Sequence, residues 1–349
     1  MMASKLRTMG LPLALALAAA LPAGAQEVHR VSGARVAVYN LAGETHVVRG
    51  TGADVVVRVT RGGGDAARLE IETGTVGGRE TLRVRYPDEQ IVYPELGRGS
   101  RTTVRVRSDG TFWGEGRGGE EVEIRGSGRG LEAWADLTIE VPAGKDVAVN
   151  VAVGEMDARG VEGDLQLHTG SGSVMATDVS GSLDVDTGSG SITVSTIRGD
   201  LGVDTGSGSV TVRDVEGDEI SVDTGSGGVR GGGLRAGTVH VDTGSGSINL
   251  DAVDSPDVAL GTGSGSVELD LMRDVENLDV DTGSGSITIR APADLGARVE
   301  IETGSGGIDM DFAVQVRSVR RDHVVGTVGD GVGTIRIDTG SGSIRLLKR

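Results

Sequence analysis

The chain has 349 residues, 60 of them glycine, with no cysteine, two Phe, two Trp, three Tyr and a formal net charge of −17. The absence of cysteine excludes a disulfide framework, thiolate chemistry and lipid attachment at a cleavage site. So few aromatics leave the core to Val, Ile and Leu, which suit a narrow β interior, and the acidic balance disfavours nucleic acid and anionic lipid, both of which are bound through basic side chains.

The chain opens with Lys5 and Arg7, an apolar run from Met9 to Leu21, and then Pro22-Ala23-Gly24-Ala25. A charged start, a short apolar middle and a small-residue end predict a secretory signal peptide over residues 1–25, with Gln26 the first mature residue. No later stretch approaches the ~20 apolar residues of a membrane-spanning helix. The expected location is therefore periplasmic, cell-surface or secreted.

Residues 26–145 are nearly neutral, with 17 Lys+Arg against 18 Asp+Glu. Strand-like runs such as "ARVAVYNL", "ADVVVRVT" and "RTTVRVR" alternate there with Gly-rich loops, so an irregular N-terminal β region or cap is expected, continuous with the repeats after it. Trp113 and Trp134 are expected to pack within it. Residues 146–349 carry 15 Lys+Arg against 33 Asp+Glu. This part begins with Val147, Val149, Val151 and Val153, which read as a coil whose corner has decayed to Val153-Gly154-Glu155.

A regular repeat comes next. TGSG, then Ser or Gly, then Ile or Val, occurs nine times, at Thr169, Thr187, Thr205, Thr224, Thr243, Thr262, Thr282, Thr303 and Thr339. A period near 19 residues marks a solenoid. Within a unit the period is two: Leu183, Val185 and Thr187 point one way, Asp184 and Asp186 the other, and Ile192 and Val194 resume the inward set after the turn. Each unit is expected to supply two strands and a short third side holding Ile197. Units stacked ~4.8 Å apart pair strand on strand, and none buries its apolar residues alone. The expected fold is all-β, a parallel β-solenoid of 18–20-residue coils. The last spacing, 36 residues, leaves residues 313–334 without a corner; they read as one degenerate coil or, the favoured reading, a hairpin-like insert helping to cap the C-terminal end.

The repeats resemble a bacterial "putative adhesin" family, an exported β-strand-repeat domain of unknown function. The likeness rests on the nine corners, on "TIEVPAG" at Thr138–Gly144, on "YNLAGETHVVRG" at Tyr39–Gly50 and on the C-terminal "VVGTVGDGVGTIRIDTGSGSIRL". It implies a β-solenoid with right-handed coils, is nearly silent on activity, and offers no catalytic residues to carry over.

The sequence holds no H-E-x-x-H, no G-x-S-x-G and no phosphate loop followed by a helix. Carboxylates recur in nearly every coil, so no pair marks a glycosidase site. No catalytic, cofactor-binding or metal-ligating residue is expected, and no cofactor. One surface feature could bear on binding. The residue before each TG is acidic in seven of nine copies, and Asp186, Asp204, Asp223, Asp242 and Asp281 form a candidate cation ladder. Calcium wants six to eight oxygens, more than one carboxylate per coil provides. Three functions stay open: a non-enzymatic binding module for carbohydrate or another envelope or extracellular polymer, an envelope scaffold contacting protein partners through residues 26–145, and a polysaccharide-acting enzyme.

Overall fold

The computed structural model describes residues 26–113 and 118–349; the expected signal peptide, 1–25, lies outside them. Among the described residues the strands form one sheet of 14 strands, one of 15 and a small one of four. The two long sheets are the two walls of a parallel β-solenoid. Strand Leu183–Ser189 lies in one wall, the chain turns at Gly190, and strand Ile192–Arg198 lies in the other. Register is strict, with Val185 opposite Val203 and Val203 opposite Val222 on one wall, and Val194 opposite Val212 on the other. The inward Val, Ile and Leu form one continuous buried core along the stack.

The corner explains the repeated tetrapeptide. All nine threonines are buried. Each hydroxyl donates to the carbonyl of the second corner glycine in the adjacent coil, at 2.8–3.4 Å. The glycines answer to stacking. A Cβ on Gly188 would lie 2.7 Å from the Gly170 carbonyl oxygen, and one on Gly190 would lie well inside contact of the Gly172 carbonyl, where only backbone could give way. Gly190→Ala is therefore expected to cost about 3 kcal/mol, at the upper end of overpacking effects; a chemical denaturation midpoint measures it.

Two features of the walls differ from the sequence reading. The third side is not a separate strand. It is the far half of the second strand, bent at a residue with positive φ: Asp178, Thr196, Asp214, Gly233 and Ala252, in successive coils, have φ between 52° and 67°. The bend is needed because Val194 and Ile197 both point inward yet stand three apart, and straight alternation cannot bury both. The stack also does not follow chain order at its ends. Strand Gly333–Thr339, from the last repeat, lies between Asn277–Thr282 and Ala297–Thr303, and Ile344–Lys348 lies between Ile287–Ala291 and Ile308–Met310. The final coil is thus threaded inside the one before it. Beyond it, Val314–Val319 and His323–Val328 form an antiparallel hairpin that closes one wall on Ala297–Thr303, in keeping with the expected cap.

The N-terminal end has the same character. Arg35–Ala42 and Thr45–Arg49 make a coil directly on Lys145–Val153 and Met156–Arg159, although a hundred residues separate them in sequence. The intervening chain caps that end with antiparallel strands and folds the four-stranded sheet against the outside of the first coils. There Ile91, Tyr93, Phe112, Val122 and Ile124 bury Leu41, Ala42, Ala152 and Val153 in a second core, with Trp113 and Trp134 packed against it.

Candidate functional site

The carboxylates before each TG stand in one outward column, as the alternation requires. Asp186, Asp204, Asp223 and Asp242 occupy four successive rungs. The next rung carries Gly261, so Asp281 is separated from the other four and is followed by Asp338 and Glu302, in that spatial order. At the N-terminal end the column begins with His168, opposite Asp186, beside the ring of Trp113 at 6.5 Å between centroids. Like charges one rung apart leave a mark. Partial burial first, then Asp186, Asp223 and Asp184, raise the Asp204 carboxyl above its ordinary value; burial, then Asp338 and Asp279, do the same to Asp281. Among the described residues no three acids or histidines come together as ligands for one metal ion.

The sign of the effect is testable. A carboxyl whose pKa is higher folded than unfolded favours folding below its unfolded value, near 3.9, and loses that contribution as pH rises through the folded one. Asp204→Asn should therefore raise Tm at pH 7 by on the order of 1 °C, a small gain as befits a solvent-screened group. The gain should vanish below about pH 4, which a set of melts across pH would reveal.

A concave surface lies on the other wall. Along the bent column a groove of about 410 Å³ runs over successive coils, floored by Thr196, Asp214, Gly233 and Ala252 and ended by Met272. At ~4.8 Å per rung it extends ~19 Å along the stack. One rim alternates in charge: Arg198 faces Glu216, Glu216 faces Arg235, and Arg235 faces Asp254, with Arg235 and Asp254 paired at 3.1 Å. At Gly233 the floor carries no side chain. It stops where the register shifts between Leu250 and Val253 and the bend is lost; there Met272 is 47% exposed. Non-glycine residues at positive φ hold backbone strain, of order 1–3 kcal/mol each, that the stack sustains. The groove was not foreseen from the sequence, though the three-residue spacing of Val194 and Ile197, repeated at Val212 and Val215, is its signal.

The aromatics lie elsewhere. Tyr39, Phe112, Trp113, Tyr93 and Trp134 pack on one another around the second core and build no stacking platform along either long wall.

No curated protein matches the chain. A crystal structure described as a "putative cell adhesion protein" from Clostridium sporogenes aligns over 93% of this chain and 100% of that one, at 8% identity and a TM-score of 0.21. The Toastrack DUF4097 family matches residues 132–347. That span takes in the last cap strand, every TGSG corner and the threaded C-terminal coil, well over half of the protein. On that match the chain belongs to the Toastrack DUF4097 family, and its own fold is a β-solenoid.

Proposed function

We propose that this chain is an exported, non-enzymatic binding module that holds an extended envelope or extracellular polymer along the groove from Thr196 to Met272. The observation that carries the reading is repetition in the groove itself. It presents one bent backbone and one rim side chain per rung, a spacing suited to a chain-like ligand lying along the stack rather than to a single small molecule. Alternating Arg and Asp/Glu on the rim offer donors and acceptors in turn, which suits a polymer bearing both. With the aromatics spent in the second core, recognition of a carbohydrate would rest on hydrogen bonds and not on ring stacking. The acidic column on the opposite wall serves, in this reading, to keep a long repetitive surface soluble and to gather cations diffusely.

Co-sedimentation of the chain from Gln26 onward with envelope fractions and purified polysaccharides tests the reading, with and without EDTA. Retention without release of fragments is expected, and Arg235→Glu with Met272→Glu should weaken it about tenfold at unchanged Tm. Retention indifferent to those changes would move the contact to the N-terminal region and favour the scaffold that binds protein partners. Loss of retention in EDTA would give the acidic column a specific cation role.

A further inference from the structure

The first two corners, Asn40–Glu44 and Val151–Glu155, keep only the second glycine of the repeat, and one of their departures bears charge. In the regular coils the residue after the second corner glycine is small, as at Ser173, Ser191 and Ser209. In the same column at the N-terminal end stand Glu155 and Glu44, on adjacent coils, with the Thr45 amide donating to the Glu155 carbonyl at 2.9 Å. A third carboxylate, Glu95, comes from the short 3-10 turn Pro94–Leu96 beside the four-stranded sheet. All three line a pocket of about 340 Å³ floored by corner backbone at Gly154, Gly172 and Gly190. Tyr93 also lines it. That residue is only 2% exposed, its ring is tilted against Trp134 at 5.8 Å between centroids, and no hydrogen bond figures among the influences on its hydroxyl. Nor does any ion pair among the described residues engage Glu44, Glu95 or Glu155. Burial first, then Asp136 and these same three carboxylates, push the Tyr93 phenol far above its ordinary range, so the hydroxyl stays protonated.

Unpaired negative charge on the rim, the hydroxyl of a largely buried tyrosine in the lining and a break in the repeat at that place together call for a cation. Metal chemistry fits poorly, since no three acidic or histidine side chains among the described residues converge as metal ligands. An ammonium fits better. It has three donors to share between carboxylates and a hydroxyl, on a stem that can lie along apolar surface. We infer that the Glu44, Glu95 and Glu155 pocket binds the lysine side chain of a partner peptide, with the ammonium between the carboxylates and the Tyr93 hydroxyl and the alkyl stem against Tyr93 and Leu96. The site is separate from the groove and does not rest on it. The acidic balance of the repeats, 33 Asp+Glu against 15 Lys+Arg, would speed encounter with a basic partner.

Calorimetric titration with pentalysine at physiological salt, with calcium chloride in a parallel arm, tests this on the chain from Gln26 onward. Binding is expected, weakened about tenfold by Glu44→Gln with Glu155→Gln and several-fold by Tyr93→Phe. Asp186→Asn with Asp204→Asn removes the same charge from the acidic column and should leave the affinity unchanged. The inference is overturned if pentalysine does not bind, if the two double variants weaken it equally, or if calcium displaces the peptide one for one. Matched melting curves keep a folding defect from passing as a binding one.

Discussion

Removing residues 333–349 is expected to release the whole C-terminal end from Pro292 onward while the coils before it stay folded. In a solenoid stacked in chain order, the last repeat is an outer rung whose loss costs one interface. Here, among the described residues, Gly333–Thr339 is the only strand touching both Asn277–Thr282 and Ala297–Thr303, and Ile335, Ile337, Ile344 and Leu346 fill the core between them. Its deletion opens two interfaces on each wall. The hairpin Val314–Val328 goes with it, since that hairpin is held through Ala297–Thr303. Hydrogen exchange should show protection across Ala297–Val328 falling by orders of magnitude toward that of open chain, and limited proteolysis should leave a core ending near Ala291. Retained protection of Ala297–Thr303 would mean that this coil can drop one rung and dock on Asn277–Thr282, and that the threaded order is a preference and not a requirement. The same geometry bears on folding: residues 333–349 must enter between coils made before them, so this part of the stack closes only after they are made.

The regular part of this fold was legible because its determinants are local and repeated. TGSG names a corner at which threonine must be buried and both glycines must lack a side chain, and alternation around it assigns each neighbour a face. Val185, Ile192 and Val194 are buried and Asp186 exposed for that reason. Periodicity, however, carries no information on which coil lies beside which. Ile335 and Leu278 are opposite one another through a connection that no pattern near either residue encodes. The bent column was half legible. Ile197 was visible as an inward residue out of phase with Val194, but a third side and a kink at Thr196 satisfy the same spacing, and only the continuous strand distinguishes them. For the acidic column, alternation gives the outward face but not the order along the stack, where Gly261 interrupts it and Asp338 precedes Glu302. The lysine-binding pocket takes its carboxylates from three distant stretches, of which Glu155 alone belonged to a recognised corner; Glu95 reaches it through tertiary packing.

Excising one whole interior coil, Leu201–Glu219, should leave a folded protein weaker by about 1–3 kcal/mol, one coil's share at ordinary stability per residue. The cut brings like onto like. Leu183 meets Ile220, Val185 meets Val222, Thr187 meets Thr224, and on the other wall Ile192 meets Val229 and Ile197 meets Leu234, positions now bridged by the excised rung. Glycine stacks on glycine at the new junction, so the threonine hydroxyl of the later coil again finds a corner carbonyl. Stability in such a stack is a sum over neighbours, and losing one term leaves the others standing. Removing only Leu201–Ser209 takes out the strand of one wall and keeps its mate in the other. Asp200 then joins Val210 directly, every later corner falls on the wrong wall, and an odd shift turns inward side chains out. That variant is expected to lose cooperative unfolding altogether, as read by circular dichroism on denaturant titration. If both deletions are tolerated alike, or both abolish the transition, then the coil is not the unit in which this protein stores its stability.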